Sequence, residues 1–122
     1  MTNLRRTFAL LSMAALVLLP TAALAEGKDV TVKGEVLDLA CYVGHETHGE
    51  EHAGCAVKCV KAGQPMGLKA EDGTVYVLFA NHDDGAPYEE TKDYAGHMVE
   101  ISGPMADTAG VKGITVNGVK AL

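Results

Sequence analysis

The sequence is poor in aromatic residues and lacks the local motifs that identify common enzyme classes. It has no tryptophan, and aromatic side chains make up only 5% of its 122 residues. It contains no Gly-x-Ser-x-Gly elbow, phosphate-binding loop, His-Glu-x-x-His motif or Cys-x-x-Cys-His haem motif. Cysteine with histidine is the one combination that can support catalysis, and no orienting partner accompanies it. We therefore expect a protein that is not an enzyme.

Basic residues are also scarce, and two of the ten stand directly before a long apolar run. Arg5 and Arg6 form a short positive segment, and the uncharged run then extends from Thr7 to Leu24. The run ends in Ala23-Leu24-Ala25, the small-x-small pattern at which signal peptidase cleaves. This organisation predicts a secretory signal peptide at residues 1–25.

The predicted mature chain, residues 26–122, is long enough for one domain with a modest core. An uncleaved membrane anchor is the alternative, but Pro20 interrupts the apolar run ahead of the cleavage pattern. We therefore predict a periplasmic or secreted protein with no stable membrane anchor after cleavage. Without the two N-terminal arginines, eight basic residues face sixteen acidic ones, a formal charge of −8. This charge disfavours nucleic acid as a partner and is compatible with metal ions.

Alternating apolar and β-branched residues predict five short strands in the mature chain. Between the third and fourth strands, Pro87 to Ala95 is predicted to form a short helix, with Gly96 placed to cap it. Gly103-Pro104 and Asn117-Gly118 are expected to be turns. The predicted strands are Val30–Leu37, Met66–Ala70, Thr74–Ala80, Met98–Ser102 and Val111–Val116.

This order of elements is that of a mostly β, five-stranded OB-like barrel. The chain also contains the motif Val-Lys-Gly-Glu-Val in strand one, Asp72-Gly73 before strand three and a glycine-rich final hairpin. On these motifs, residues 30–122 resemble the small exported bacterial OB-fold proteins of the stress type. The resemblance does not account for a Cys/His-rich insert at about residues 41–62, between strands one and two. That insert is similar to segments of uncharacterised exported proteins.

The insert concentrates the reactive side chains of the chain. All three cysteines and three of the five histidines lie between Cys41 and Cys59. A capping box at Thr47 and Glu50 predicts a helix from about His48 to Ala62. On such a helix, four potential metal ligands share one stripe about 60° wide. These ligands are His48, His52, Cys55 and Cys59.

Thiolate and imidazole groups in this arrangement predict a bound transition metal, either zinc or copper. Cys41, at the end of strand one, can fold back over the helical stripe. Because His52 and Cys59 are ~10.5 Å apart along a straight helix, which of the helical ligands complete the site is left open. The predicted ligands are Cys41, His52, Cys55 and Cys59, with His45 and His48 as auxiliary candidates.

Two other functions are consistent with the same cysteines. In an oxidising compartment, a disulfide from Cys41 to Cys55 or Cys59 would staple the insert to the barrel and leave one thiol over. The protein would then be an interaction module for a periplasmic protein or a small ligand. Alternatively, Cys55 and Cys59 would form a thiol–disulfide redox pair. We favour metal binding, buffering or delivery, because one disulfide cannot account for three cysteines.

Overall fold

The computed structural model describes residues 27–122, and the predicted signal peptide at residues 1–25 lies outside the described residues. The described part of the chain forms one six-stranded sheet. Its strands are β1 (Lys28–Asp38), β2 (Met66–Ala70), β3 (Val75–Ala80), β4 (Met98–Thr108), β5 (Val111–Val116) and β6 (Gly118–Ala121). The helices are α1 (Leu39–His45), α2 (Ala53–Lys61) and α3 (Ala86–Thr91), with 3₁₀ turns at Glu50–His52 and Lys92–Tyr94.

β1 closes the sheet into a barrel because it pairs with two strands. Its residues from Gly34 to Asp38 pair with β2, and those from Lys28 to Glu35 pair with β4. The strand order is β1-β2-β3-β5-β4, with β6 added beside β4, and β3 runs parallel to β5. The structure thus confirms a mostly β fold with a closed five-stranded barrel, and it is consistent with the predicted OB-like barrel.

β2 and β5 have the bounds predicted from the sequence, but β4 and the C-terminal strand differ from the prediction. The predicted turn at Gly103-Pro104 is wrong, because β4 continues through these residues to Thr108. The pair instead lies where β4 changes partner along one edge, from β6, which pairs with residues 99–102, to β5, which pairs with residues 105–108, while β1 pairs along the other edge. The chain turns later, at Ala109 and Gly110, which both have positive φ. The short strand β6 was not predicted.

The helices are placed around the barrel in two groups. α1 and α2 lie between β1 and β2, and α3 lies between β3 and β4. Among residues 27–122, no helix is long and apolar enough to cross a membrane. The candidate site lies at the end of β1 and on the segment that follows it, which contains α1 and α2.

α2 packs on the barrel through one narrow apolar face. Its buried residues are Ala53, Ala56 and Val60, and the last two belong to the hydrophobic core of the barrel. Cys55 and Cys59 each precede a buried residue by one position, which places them ~100° around the helix from the core. The two cysteines therefore lie along the edge of the packed face, where the helix meets its neighbours.

Candidate metal centre

The centre begins with Asp38, the last residue of β1 and the N-cap of α1. Its Oδ1 accepts hydrogen bonds from the amides of Ala40 and Cys41, at 2.9 and 3.3 Å. The side chain is only 3% exposed, and its second oxygen, Oδ2, is buried without a hydrogen-bond partner in residues 27–122. A buried carboxylate oxygen without a partner is costly, so this position calls for a cation or a donor.

Cys41 is brought to this carboxylate by the cap itself. Because Asp38 fixes the first turn of α1, the thiol of Cys41 lies beside the carboxylate. The adjacent Asp38 carboxylate, together with burial and the nearby Cys55, raises the pKa of the Cys41 thiol. Without a metal ion, this environment therefore favours a neutral thiol over a thiolate.

His52 reaches the same place from another part of the insert. It ends the 3₁₀ turn Glu50–His52, directly before α2, and its ring Nε2 is buried without a hydrogen-bond partner in the described part of the chain. The ligand atoms of Asp38, Cys41 and His52 all lie within 4.8 Å of one another. A carboxylate oxygen, a sulfur and an imidazole nitrogen at this separation can hold a metal ion.

Cys55 and Cys59 lie one helical turn apart on α2 and border this group. Cys59 is half-buried, and its thiol interacts with Cys55 and with Asp38. Burial, followed by the proximity of the Cys55 and Asp38 side chains, raises the pKa of Cys59 to about 11. Cys55 is exposed. The close group itself consists of Asp38, Cys41 and His52, with the two α2 thiols around it.

All three cysteines of the protein are free in this structure. The predicted disulfide staple from Cys41 to Cys55 or Cys59 is therefore not supported. Two of these thiols, Cys41 and Cys59, instead lie beside the buried Asp38 carboxylate, which is an arrangement expected of ligands.

The auxiliary candidates His45 and His48 stand outside the close group. His45 is exposed at the end of α1. His48 has both ring nitrogens engaged: Nδ1 is 3.1 Å from Glu35 Oε2, and Nε2 is 3.5 Å from Lys69 Nζ. Because a lysine ammonium can only donate, the ring accepts at Nε2 and donates at Nδ1. These contacts hold His48 on β1 and β2.

The predicted helix from His48 to Ala62 is wrong at its start. Glu35 of β1 also accepts a hydrogen bond from the Gly49 amide, so the chain is held in a loop there. Thr47 does not form the expected capping box, because its hydroxyl donates to the His45 carbonyl. The helical turns consequently begin at Glu50, and α2 begins at Ala53.

Asp38 is the residue that the sequence interpretation missed. An aspartate directly after a strand and three residues before the first cysteine is a helix N-cap signal. Recognising it would have predicted α1 and placed Cys41 on a helix beside a carboxylate. The remaining partner, His52, comes from a segment whose position depends on how the 46–49 loop is held.

The site therefore combines one oxygen, one nitrogen and up to three sulfur donors, which suits a borderline divalent ion. Each donor is positioned by a different local device: the end of a strand, a capped helix, a 3₁₀ turn and the edge of α2. Comparison with known proteins assigns no family, because no family model matches the chain and no curated protein or solved structure is significantly similar to it.

Proposed function

We propose that the protein binds one transition-metal ion at Asp38, Cys41 and His52, with an α2 thiol as the fourth ligand. Its role is metal binding, buffering or delivery in the periplasm or outside the cell, in keeping with the expected signal peptide. The resemblance to small exported bacterial OB-fold proteins is part of the same proposal. The protein acts on the ion by holding it and is not expected to catalyse a reaction.

One observation carries this proposal. Asp38 Oδ2 and His52 Nε2 are the buried side-chain atoms without a hydrogen-bond partner in residues 27–122, and they belong to the same three-residue group. Buried polar groups of proteins are nearly always satisfied, so an exception needs an explanation. A single ion accepts electron pairs from both atoms and from the Cys41 sulfur, which removes both exceptions at once.

The donor set favours zinc over copper. Cu(I) selects soft sulfur ligands, whereas a carboxylate oxygen is a hard ligand. Zn²⁺ accepts oxygen, nitrogen and sulfur donors and is almost always tetrahedral in structural sites. With Asp38, Cys41 and His52 in place, one thiol of Cys55 or Cys59 completes four ligands. Two backbone amides also donate hydrogen bonds to Asp38 Oδ1. Such hydrogen bonds commonly hold metal-binding side chains in a fixed orientation.

Zinc titration of the reduced protein, in competition with a chromogenic chelator, tests the proposal. Wild-type protein should bind one equivalent, and His52→Gln should weaken binding at least ~10-fold, since a buried ligand is lost. His82→Gln is the matched control, because His82 is exposed on the loop before α3 and should leave affinity unchanged. Equal affinity for the His52 and His82 variants, or no binding by the wild type, would contradict the proposal.

A groove on the outer face of the barrel favours a second candidate function, an interaction module. It has a volume of about 580 Å³ and is lined in part by Phe79, Val111, Pro104 and Asp29. Phe79 is 50% exposed and Val111 59% exposed, so the groove offers apolar surface to a small ligand. Phe79→Ser should abolish binding of a small ligand in this groove. The same substitution should leave the zinc affinity unchanged.

A further inference from the structure

The centre offers more donors than one zinc ion uses. Zinc sites of proteins are almost always four-coordinate, and two further thiols lie on α2 beside the three-residue close group. Three ligands come from the close group, so the two α2 thiols remain for a single position. α2 packs against β1, which ends in Asp38, and the pKa of Cys41 responds to both Cys55 and Cys59. This surplus is the starting point for an inference that rests on the proposed metal site.

The two α2 thiols differ in their surroundings. Cys59 is half-buried and interacts with the Asp38 carboxylate, so it lies on the inner side of the centre. Cys55 is exposed and precedes Cys59 by one helical turn, so it lies on the solvent side. Residues four apart on a helix are neighbours on its surface. The close group therefore has an inner and an outer α2 thiol beside it.

We propose that Cys59 is the resting fourth ligand and that Cys55 is an exchange ligand, through which the ion enters the centre and is passed to an acceptor carrying thiolate or imidazole ligands. In the exchange, the bond from zinc to the Cys59 sulfur breaks as the bond to the Cys55 sulfur forms. Cys55 releases its proton to water, and the departing Cys59 thiolate takes one up. No electron is transferred, and the charge of the centre is unchanged.

This role predicts a kinetic signature. A relay ligand speeds entry and exit by the same factor and leaves the equilibrium unchanged, because the dissociation constant is the ratio of the two rates. A permanent ligand, in contrast, contributes to affinity. Serine is the substitution of choice, since it keeps the size of the side chain and removes the sulfur.

The experiment is stopped-flow transfer of zinc from the reduced, zinc-loaded protein to the chelator 4-(2-pyridylazo)resorcinol, with loading rates and affinities measured on the same samples. Cys55→Ser should slow release and loading each by about 10-fold, with the dissociation constant within about 3-fold of wild type. Cys59→Ser should weaken affinity by at least ~10-fold and speed release, because only the exposed thiol remains as fourth ligand. Cys41→Ser serves as the reference for loss of a permanent ligand.

Two results would overturn the exchange role. If Cys55→Ser weakens affinity as much as Cys41→Ser, Cys55 is a permanent ligand; if its transfer rates equal those of the wild type, it takes no part. Both results leave zinc binding itself intact. A wild-type protein that binds no zinc would remove the proposed function as well, and this is visible before any variant is compared.

Discussion

The two oxygens of Asp38 serve two different purposes. Oδ1 caps α1 by accepting from the Ala40 and Cys41 amides, and Oδ2 is buried without a partner in the described residues. Capping fixes the side chain, so the second oxygen is presented in a constant position. The same residue thus caps the helix that carries Cys41 and is a proposed ligand beside it.

Substitution of Asp38 separates these two roles. Asparagine is as good an N-cap as aspartate, so Asp38→Asn should keep the stability of the metal-free protein while weakening zinc binding by at least ~10-fold. Asp38→Ala should weaken binding similarly and also cost about 1 kcal/mol of stability through loss of the cap. Chemical denaturation with zinc titration measures both effects. Asp72→Asn, at an exposed turn, is the control; unchanged zinc affinity in Asp38→Asn would contradict the account.

The environment of the thiols predicts how metal binding depends on pH. The raised pKa values of Cys41 and Cys59 mean that both are protonated at neutral pH in the metal-free protein. Binding through two thiolates must release two protons, so affinity should rise with pH, by up to ~100-fold per unit. Titrations at pH 6, 7 and 8 check this sign. An affinity that does not change with pH would show that the thiols are not ligands.

At the scale of the elements, the site depends on how α2 is seated on the barrel. Gly96, just before β4, has φ +85° and lies directly against α2: a Cβ there would be 2.6 Å from Cα of Ala53. Ala53 directly follows His52, the proposed ligand, so this close contact fixes α2 on the barrel next to the candidate site. Gly54, in α2 itself, has no neighbour within 4 Å of such a Cβ.

Two glycine substitutions should therefore have opposite effects on stability. Gly96→Ala should destabilise the protein by about 2–5 kcal/mol, from strain at positive φ and from overpacking against α2. Gly54→Ala should stabilise it by up to about 1 kcal/mol, because alanine is the better helix former. Thermal and urea unfolding of the two variants provide the comparison. A Gly96→Ala protein as stable as the wild type would mean that α2 is not packed on the barrel at this point.

The elements also show what the sequence can and cannot predict. β2 and β5 have the predicted bounds, because a local alternation of apolar residues is enough to define them. The start of the Cys/His helix was misplaced because Glu35, more than ten residues earlier, holds His48 and Gly49 in a loop. The course of β4 through Gly103 was missed for a similar reason, since the change of partner strand is a tertiary event.

For the whole molecule, the barrel acts as a frame that brings separate segments to one point. β1 delivers Asp38 at its end, α1 delivers Cys41 and the 3₁₀ turn delivers His52, although each belongs to a different element. The sequence predicted a Cys/His metal site from the clustering of residue types alone. It did not predict that the Asp38 carboxylate belongs to the site, because this depends on the burial of the end of β1.

The acidic character of the whole chain affects how any metal result must be judged. With a formal charge of −6, the protein attracts cations to surface carboxylates as well as to the proposed centre. Stoichiometry alone therefore does not identify the ligands, and the atoms bonded to the ion must be observed directly.

X-ray absorption at the zinc edge, on reduced protein loaded with one equivalent and then desalted, makes that observation. The account predicts a four-coordinate ion with about two sulfur atoms at ~2.3 Å and two nitrogen or oxygen atoms at ~2.0–2.2 Å. Loss of all zinc on desalting, or a shell made only of oxygen and nitrogen, would contradict a metal centre built on Asp38, Cys41 and His52.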